Sequence, residues 1–382
     1  EGPVPDGFVL NQGDLVVTMT DLSKQSDTLG FPAIVPARTD GRRYLHNQRI
    51  GKVIVLKPQK IDAGFLNYLL RVQDYRNEVL ASATGTTVKH TAPVRILNYQ
   101  FARPPLREQQ AIARVLASLD GKIELNRRMS ETLEAMTRAL FKSWFIDFDP
   151  VRAQMERRDT ELAKPFADLF RGRFVHSECG EIPEGWRTGR LGDAADNPRR
   201  GVQPDEIERD TPYIALEHMP RRSIALSEWG TADDLGSNKY QFKRGEILFG
   251  KLRPYFHKVG IAPLDGVCST DIVVVAPKED AWFAFVLGHV SSVEFVDFVN
   301  AGSTGTKMPR TSWSEMARYP LALPPLPIAD AFMQLVKAML ERIVVGIHQS
   351  RALAELRDAL LPKLISGELR VKHAERAVAE SV

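Results

Sequence analysis

Two long stretches with a helical apolar pattern limit the fold of this chain more than any other feature. In the first, residues 105–144, apolar side chains recur at spacings of three, four and their sums, which is typical of one face of an amphipathic helix. These side chains are Ile112, Val115, Leu119, Ile123, Met129, Leu133, Met136 and Leu140. At 1.5 Å per residue such a helix is on the order of 50 Å long. A helix of this length is typical of coiled coils, in which a partner covers the apolar face.

The second stretch, residues 325–364, repeats the first at a constant offset of 220 residues. The matching pairs are Pro105/Pro325, Ile123/Ile343, Leu133/Leu353 and Leu140/Leu360. The offset also holds upstream, where Gly85-Thr86 corresponds to Gly305-Thr306. Because turn signals and helix signals share one offset, we interpret the chain as an internal duplication. Each copy is a globular module followed by a long helix.

The two long helices are expected to pair with each other in antiparallel orientation, because each module would otherwise carry an unpaired amphipathic helix. The outer apolar residues and the aromatic run at residues 141–145 would then remain for a partner subunit. The residues expected in the helix pair or at the partner contact are Ile112, Leu119, Ile123, Leu133, Leu140, Trp144, Leu335, Met339, Ile343, Leu353, Leu360 and Leu364.

The predicted fold class is α+β, with two modules of mixed β-sheet and helices and two long helices forming an antiparallel coiled coil. The predicted domains are a first module (1–104), a first long helix (105–150), a connector (151–181), a second module (182–324), a second long helix (325–369) and a disordered tail (370–382). Residues 13–17 resemble residues 245–249, but about sixty residues of module precede Gly245 and almost none precede Gly13. We therefore expect the first module to be truncated at its N-terminus.

Within the modules, short β-rich runs and two helical runs follow the same order. The predicted strands are residues 15–20, 52–56, 94–99, 214–216, 247–249, 259–262 and 272–275, and the predicted helices are residues 63–80 and 282–299.

Composition allows two or three ordinary globular domains. The chain has 382 residues, of which 43% are hydrophobic and 26% charged. It contains no apolar run of membrane-spanning length and no signal-peptide pattern. Two cysteines, Cys179 and Cys268, are too few for a disulfide framework, which favours a reducing cytoplasm. A net charge of +3 argues only weakly for nucleic acid, so clustering of the charges has to support that function.

A search for catalytic motifs finds no candidate active site in the sequence. A methyltransferase acting on adenine needs a glycine-rich cofactor turn and an Asn/Asp-Pro-Pro-aromatic loop, to which residues 149–151 and 197–199 are only partial matches. No phosphate-binding loop of the Walker type occurs, and the histidines lack metal-ligand spacing. Neither catalytic nor metal-binding residues are predicted.

Clusters of cations with aromatic and hydroxyl residues are candidates for a nucleic-acid interface, because such side chains neutralise phosphates and read base edges. In the second module they are Arg199, Arg200, Arg221, Arg222, Lys239, Lys243, Lys251, Arg253, Tyr255 and Lys258. A pair of Thr-Gly-Thr loops at the repeat offset adds Ser303, Thr304, Thr306 and Lys307, and in the first module Thr84, Thr86, Thr87 and Lys89. Arg42 and Arg43 are weaker candidates in the first module. An ordinary solvated surface or a plain turn is the alternative for each cluster.

Four segments resemble the specificity (S) subunits of Type I restriction-modification systems, and the resemblance covers essentially the whole chain. The segments are residues 104–151, GEILFGKLRPY (245–255), AGSTGTKMPR (301–310) and LLPKLISGEL (360–369). The resemblance implies two target-recognition domains that each bind one half of a split site in double-stranded DNA. It also implies that the paired helices fix the gap between the half-sites.

The same resemblance implies partners that carry the chemistry. Two modification (M) subunits, which use S-adenosylmethionine to methylate adenine, would dock on the helices. Restriction (R) subunits would join them to translocate and cleave DNA, with the ATP and Mg implied for partner subunits. This chain would bind no cofactor and would be non-catalytic. Two alternatives remain open, namely the specificity end of a fused restriction-methylation enzyme and a truncated, silent specificity cassette.

Overall fold

The computed structural model describes residues 5–23, 27–38, 40–86, 88–178, 180–233, 235–305 and 307–381. The chain divides into two compact units, the first made of Glu1–Glu124 with Ala352–Val382 and the second of Leu125–Arg351. Each unit contains one module, and the two longest helices contribute residues to both units.

The helices are numbered along the chain as α1 (Ala63–Leu69), α2 (Gln73–Ala81), α3 (Pro93–Leu97), α4 (Leu106–Phe145), α5 (Asp149–Met155), α6 (Lys164–Ala167), α7 (Leu191–Ala194), α8 (Phe283–Val290), α9 (Val293–Ala301), α10 (Trp313–Met316), α11 (Leu326–Ser366) and α12 (Val371–Ser381). The strands are β1 (Val9–Leu10), β2 (Leu15–Thr18), β3 (Thr20–Asp21), β4 (Pro32–Ile34), β5 (Tyr44–Leu45), β6 (Ile50–Lys52), β7 (Lys89–His90), β8 (Phe174–Ser177), β9 (Gly180–Pro183), β10 (Arg187–Arg190), β11 (Ala195–Asp196), β12 (Gly201–Val202), β13 (Pro212–Ile214), β14 (Gly230–Thr231), β15 (Lys239–Phe242), β16 (Ile247–Gly250), β17 (Val259–Ile261), β18 (Gly266–Cys268), β19 (Ile272–Pro277) and β20 (Pro320–Leu323).

The first module is built around a small antiparallel sheet in which β2 lies between β4 and β6. Burial alternates along β2, so that Leu15 and Val17 face the core, as expected for a strand with one covered side. The helices α1 and α2 pack Phe65 and Tyr75 into the same core as Val17. The pairs β1–β5 and β3–β7 add two short ribbons.

Among its described residues, the second module contains two larger sheets and the antiparallel pair β10–β20. One has the strand order β11-β19-β16-β17 and the other β12-β15-β18-β13-β14, in which only β13 and β18 run parallel. Alternate residues of β16 face opposite sides. Ile247 and Phe249 lie in a core with α8 and α9, whereas Leu248 lies in a second core with Phe242 and Cys268.

The duplication is visible element by element. The helices α1, α2, α3 and α4 begin 220 residues before α8, α9, α10 and α11, respectively. Gly13 and Gly245 both have left-handed backbone, with φ of 87° and 85°, and each lies two residues before its strand, β2 or β16. Glycine adopts this conformation without a steric penalty. The internal repeat predicted from the sequence is therefore confirmed.

The predicted long helices are also confirmed, as is the α+β fold class. In the second unit α4 and α11 run antiparallel, since Asn126 contacts Arg342 (3.2 Å) while Trp144 stacks near Phe332 (5.5 Å between ring centroids). In the first unit, Asp120 of α4 accepts a hydrogen bond from Arg357 of α11 (2.7 Å). The helix α11 ends at Ser366, and Gly367 follows with a φ of 78°, as expected for a glycine cap.

Most of the predicted seam faces inward. The buried members are Ile112, Leu119, Trp144, Ile343, Leu353, Leu360 and Leu364, and the half-buried ones are Ile123, Leu133, Leu140, Leu335 and Met339. Met129 and Met136, which share the same spacing, are exposed instead.

The expectation that the aromatic run at residues 141–145 is left for a partner subunit is wrong. Phe141, Trp144 and Phe145 are buried in the core of the second unit, where all three rings pack around Phe332 of α11. Their spacing puts them on one face of α4, and the module's own helix α8 covers that face through Phe285.

The expectation of a disordered tail is wrong as well. Residues after Arg370 form α12, whose Ala374 and Val378 are buried in the core of the first unit together with Leu364. The two side chains are four residues apart and therefore share one helix face.

Several short elements differ from the sequence prediction. The helix expected at residues 63–80 is broken between α1 and α2, because Val72 is extended (φ −66°, ψ 148°) and turns its side chain into the core. The same break separates α8 from α9, where the Ser292 hydroxyl accepts a hydrogen bond from the Phe295 N–H (3.1 Å). Residues 93–97 form α3 and not a strand, and Val94 and Leu97 are exposed.

The strand expected at residues 52–56 ends at Lys52, since Ile54 and Leu56 are exposed, and β13 ends at Ile214, before Leu216. None of the helices among the described residues combines the length and the apolar character of a membrane span. Asp280–Val290 and Val293–Ala301 meet that test only as a pair bent by 69°.

Candidate nucleic-acid interface

A cationic loop between β16 and β17, residues 251–258, forms the centre of the candidate site in the second module. Its middle is a short 3-10 turn, Pro254–Phe256. On either side of the turn Arg253 and His257 have left-handed backbone, with φ of 52° and 51°. Non-glycine residues rarely adopt this conformation, and such residues cluster at ligand-binding sites. The loop therefore holds Arg253 in a fixed, strained position.

Backbone hydrogen bonds attach this loop to the Thr-Gly-Thr loop that follows α9. The Arg253 N–H donates to the Pro309 carbonyl (2.7 Å), and the Thr311 N–H donates to the Lys251 carbonyl (3.0 Å). Lys251 in turn donates its N–H to the Asp271 carbonyl (2.9 Å). The structure thus brings together the predicted residues Lys251 and Arg253 with residues 309–311, at the end of the second Thr-Gly-Thr loop.

The described residues of the two Thr-Gly-Thr loops share one hydrogen-bond pattern and a left-handed glycine. Thr84 pairs with His90 through hydrogen bonds of 3.0 and 2.8 Å, and Thr304 pairs with Arg310 through bonds of 3.1 and 2.9 Å. Gly85 and Gly305 have φ of 96° and 95°. A Cβ at Gly85 would lie 2.0 Å from the Val88 carbonyl oxygen, so this turn requires glycine.

The side chains at these two loops are mostly open to solvent. Thr84, Thr86, Thr304 and Lys307 are exposed, whereas the Ser303 hydroxyl donates to the Asn300 carbonyl (2.7 Å) and Lys89 is half-buried in β7. The predicted residues Thr87 and Thr306 lie outside the described residues, as does Cys179.

Sequence reasoning missed Arg310, which occupies the centre of this surface. Its guanidinium forms an ion pair with Asp271 (2.9 Å). The signal was available, because Arg310 lies in the segment AGSTGTKMPR and matches His90 at the repeat offset. In the first module the His90 ring lies 3.1 Å from the Thr20 hydroxyl, so the two copies place different polar groups at equivalent positions.

A second group of cations adjoins the loop through an aromatic ring. The Arg221 guanidinium stacks 4.1 Å from the Phe256 ring centroid, and the Arg253 guanidinium lies 5.9 Å from the same ring. The Arg222 N–H donates to the His257 carbonyl (2.9 Å), and Arg222 itself has a φ of 57°. Tyr255 is exposed at the turn. Arg221, Arg222, Arg253 and Tyr255 therefore belong to one surface.

The two lysines of the loop are partly desolvated. Burial lowers the pKa of Lys251, the charge of Asp271 partly counteracts this, and repulsion from Arg310 and Arg199 lowers the pKa further. Burial also lowers the pKa of Lys258, with a smaller contribution from Arg221, and the Lys258 ammonium donates a hydrogen bond to the Leu216 carbonyl. A phosphate near these ammonium groups would favour their charged form.

Two predicted cations have structural roles in the module. Lys239 is only 5% exposed, and its ammonium donates to the Ser237 carbonyl (2.5 Å) and hydroxyl (2.8 Å), so it does not offer its charge at the surface. Arg200 donates two hydrogen bonds to Glu246 (2.9 and 2.6 Å), which neutralises it. Their neighbours Arg199 and Lys243 are exposed.

In the first module, Arg42 and Arg43 are exposed in the turn before β5. The Arg42 N–H donates to the Asp40 carboxylate (3.2 Å), which also pairs with Arg38. The nearby acid offsets part of the positive charge, so this turn is a weaker anion site than the loop at residues 251–258.

Comparison with known proteins decides what kind of protein carries this surface. The Type I restriction enzyme MjaVIII specificity subunit of Methanocaldococcus jannaschii is 37% identical over 335 residues, which cover 83% of this chain and 72% of that protein. This chain belongs to the Type I restriction specificity subunits. The model of the Type I restriction modification DNA specificity domain matches residues 7–135.

Further members of the family agree. The MjaIX specificity subunit of the same organism is 27% identical over 332 residues, covering 83% of this chain and 72% of that protein. The crystal structure of the Type I S subunit from M. genitalium has the same fold, with a TM-score of 0.54 at 13% identity and coverage of 94% of this chain and 84% of that chain. As a Type I specificity subunit, the chain is a non-catalytic component of a restriction-modification complex, and its family acts in DNA recognition.

Proposed function

We propose that this specificity subunit reads a bipartite site in double-stranded DNA, one half with each module. The observation that carries the proposal is the repeated Thr-Gly-Thr turn, with equivalent hydrogen bonds at Thr84/His90 and Thr304/Arg310. Equivalent turns on two modules of one chain are suited to two equivalent DNA contacts. The side chains around them differ, so the two half-sites differ in sequence.

The chemistry of the second module supports contact with the DNA backbone and bases. Lys251, Arg221 and Arg222 can neutralise phosphates, which supplies affinity that falls with salt. Arg253 and Arg310 carry the planar fork that reads guanine edges in the major groove. Exposed threonines allow a close approach to the backbone.

The long helices α4 and α11 act as the spacer between the half-sites and as the docking site for two M subunits, with R subunits joining that core. S-adenosylmethionine, ATP and Mg belong to those partner subunits, and this chain binds none of them. Since the ligand is cellular DNA, we expect the complex in the cytoplasm. Restriction subunits are not required for recognition in this scheme.

Methylome sequencing tests the proposal. Cells that lack other adenine methylation would express the chain with its M subunits, and methylated adenines would be mapped. We expect one motif of two unlike halves separated by a fixed number of unspecified base pairs. A single uninterrupted motif, or methylation that does not change when the chain is omitted, would contradict it.

A further inference from the structure

A buried carboxylate on the long helix α4 holds the segment that precedes the cationic loop. Glu134 is only 6% exposed. One of its oxygens, Oε1, accepts hydrogen bonds from the Ser223 hydroxyl (2.7 Å) and the Ala225 N–H (3.2 Å), and Oε2 accepts from the Ile224 N–H (3.1 Å). The carboxylate thus accepts hydrogen bonds from three consecutive residues of the second module.

These hydrogen bonds offset the free-energy cost of removing the Glu134 carboxylate from water. Burial raises the pKa of the Glu134 carboxyl, while the hydrogen bonds and the charge of Arg138 act in the opposite direction. An apolar side chain would avoid the desolvation of a charge and could pack against Ile224 and Phe141. A carboxylate at this position fixes the orientation of the bonded segment, because its two oxygens accept hydrogen bonds from donors in defined positions.

The segment bound by Glu134, residues 223–225, directly follows two residues of the candidate interface. Arg221 and Arg222 come directly before Ser223, and the Arg222 N–H is bonded to the His257 carbonyl. On the other side, the Ile261 N–H of β17 donates to the Ile224 carbonyl (3.0 Å). Glu134 is therefore the point at which α4 contacts the segment that carries two of the candidate phosphate-binding cations.

We infer that Glu134 is a positioning residue, which fixes the Arg221-Arg222 segment relative to the spacer helix and thereby sharpens the choice of gap between the half-sites. The inference rests on the proposed bipartite reading. If the segment can rotate on α4, its arginines can reach phosphates at more than one separation. DNA with a wrong gap then binds almost as well as DNA with the correct gap.

The chain offers a matched control three residues away. Glu131 is on the same helix and is exposed, where it pairs with Arg127 along the helix surface. Glu131→Gln removes the same charge as Glu134→Gln without touching the module. Ser223→Ala removes one of the three hydrogen bonds from the module's side and leaves Glu134 intact.

The experiment uses the full chain with its M subunits and duplexes that carry the motif from the methylome, with the native gap or with one base pair more or fewer. We expect Glu134→Gln and Ser223→Ala to lower the affinity ratio between native and altered gaps about tenfold, the equivalent of one charge-assisted hydrogen bond. Glu131→Gln should keep the wild-type ratio. Equal loss of affinity for all three duplexes would mean that Glu134 only stabilises the fold, and would overturn the inference.

Amide hydrogen exchange provides a readout that does not depend on DNA. Exchange at Ile224 and Ala225 should be faster in Glu134→Gln and Ser223→Ala than in Glu131→Gln, while β16 stays protected in all of them. Unchanged exchange at these two amides would also overturn the inference. If the wild type shows no gap preference, the bipartite proposal itself fails, and the wild-type data alone decide that.

Discussion

At the scale of single residues, the imidazole of His289 is the most unusual group in the core. It is 4% exposed, it lies within 5 Å of the ring centroids of Phe141 and Phe285, and neither ring nitrogen has a hydrogen-bond partner among the described residues. Burial lowers its pKa from 6.5 to about 3. His289 is therefore neutral in the folded chain at any pH near neutrality.

This burial makes the stability of the second unit depend on pH. Between pH 6.5 and about 3, the unfolded chain binds a proton at His289 that the folded chain does not. Burial of the neutral His289 therefore carries no penalty above pH 6.5. As the pH falls below that value, the free energy of unfolding decreases by up to about 1.4 kcal/mol per pH unit. Part of the slope will come from His257, whose pKa burial also lowers.

We predict that His289→Leu reduces the fall in the free energy of unfolding between pH 7 and pH 5. Urea denaturation followed by tryptophan fluorescence at pH 5, 6 and 7 measures it. His176→Leu, at an exposed position on β8, serves as the control and should keep the wild-type slope. An unchanged slope in His289→Leu would contradict the assignment.

Single residues also mark the limit of sequence reasoning. The cationic clusters could be located from the sequence, because charge and spacing are visible there. The role of each cation depends on its neighbours in the folded structure, and these cannot be seen in the sequence. Lys239 is turned inward towards Ser237 and Arg200 is neutralised by Glu246, whereas Lys243 is exposed.

At the scale of elements, the loop between β16 and β17 is the central element of the proposed DNA interface. We predict that Lys251→Ala combined with Arg253→Ala weakens DNA binding at least tenfold at low salt, since two phosphate or base contacts are lost. The slope of log K against log salt should fall by about one, at roughly 0.9 per lost phosphate contact, because Lys251 is the proposed phosphate contact and Arg253 the proposed base contact. Fluorescence anisotropy over a salt titration measures both quantities.

A matched double variant controls for the change in net charge. Lys164→Ala with Arg171→Ala removes one lysine and one arginine that are exposed in the connector. This variant should bind DNA as the wild type does. If Lys251→Ala with Arg253→Ala binds DNA as tightly as the wild type at every salt concentration, both residues lie outside the interface.

Elements also differ in how far the sequence defined them. The long helices α4 and α11 were predictable because their period persists over many turns and recurs at one offset. Short elements were not, since a few apolar residues fit more than one structure. Residues 94–99 have the composition of a strand but follow Pro93, whose fixed φ suits a first helical turn.

At the scale of the whole molecule, we propose that the length of the long helices sets the gap between the two half-sites. The two units meet along the chain at Glu124/Leu125 in α4 and at Arg351/Ala352 in α11. A heptad inserted at both points leaves each unit's own sequence intact. Seven residues at 1.5 Å each correspond to about three base pairs at roughly 3.4 Å per base pair.

The measurement that tests this most directly is the methylome of cells that express the doubly lengthened chain with its M subunits. We expect the same two half-sites with a gap about three base pairs longer, by the same rises per residue and per base pair. A seven-residue insertion in the exposed connector at Asp159 should leave the gap as it is. An unchanged gap in the lengthened chain, with both half-sites still methylated, would contradict the central claim.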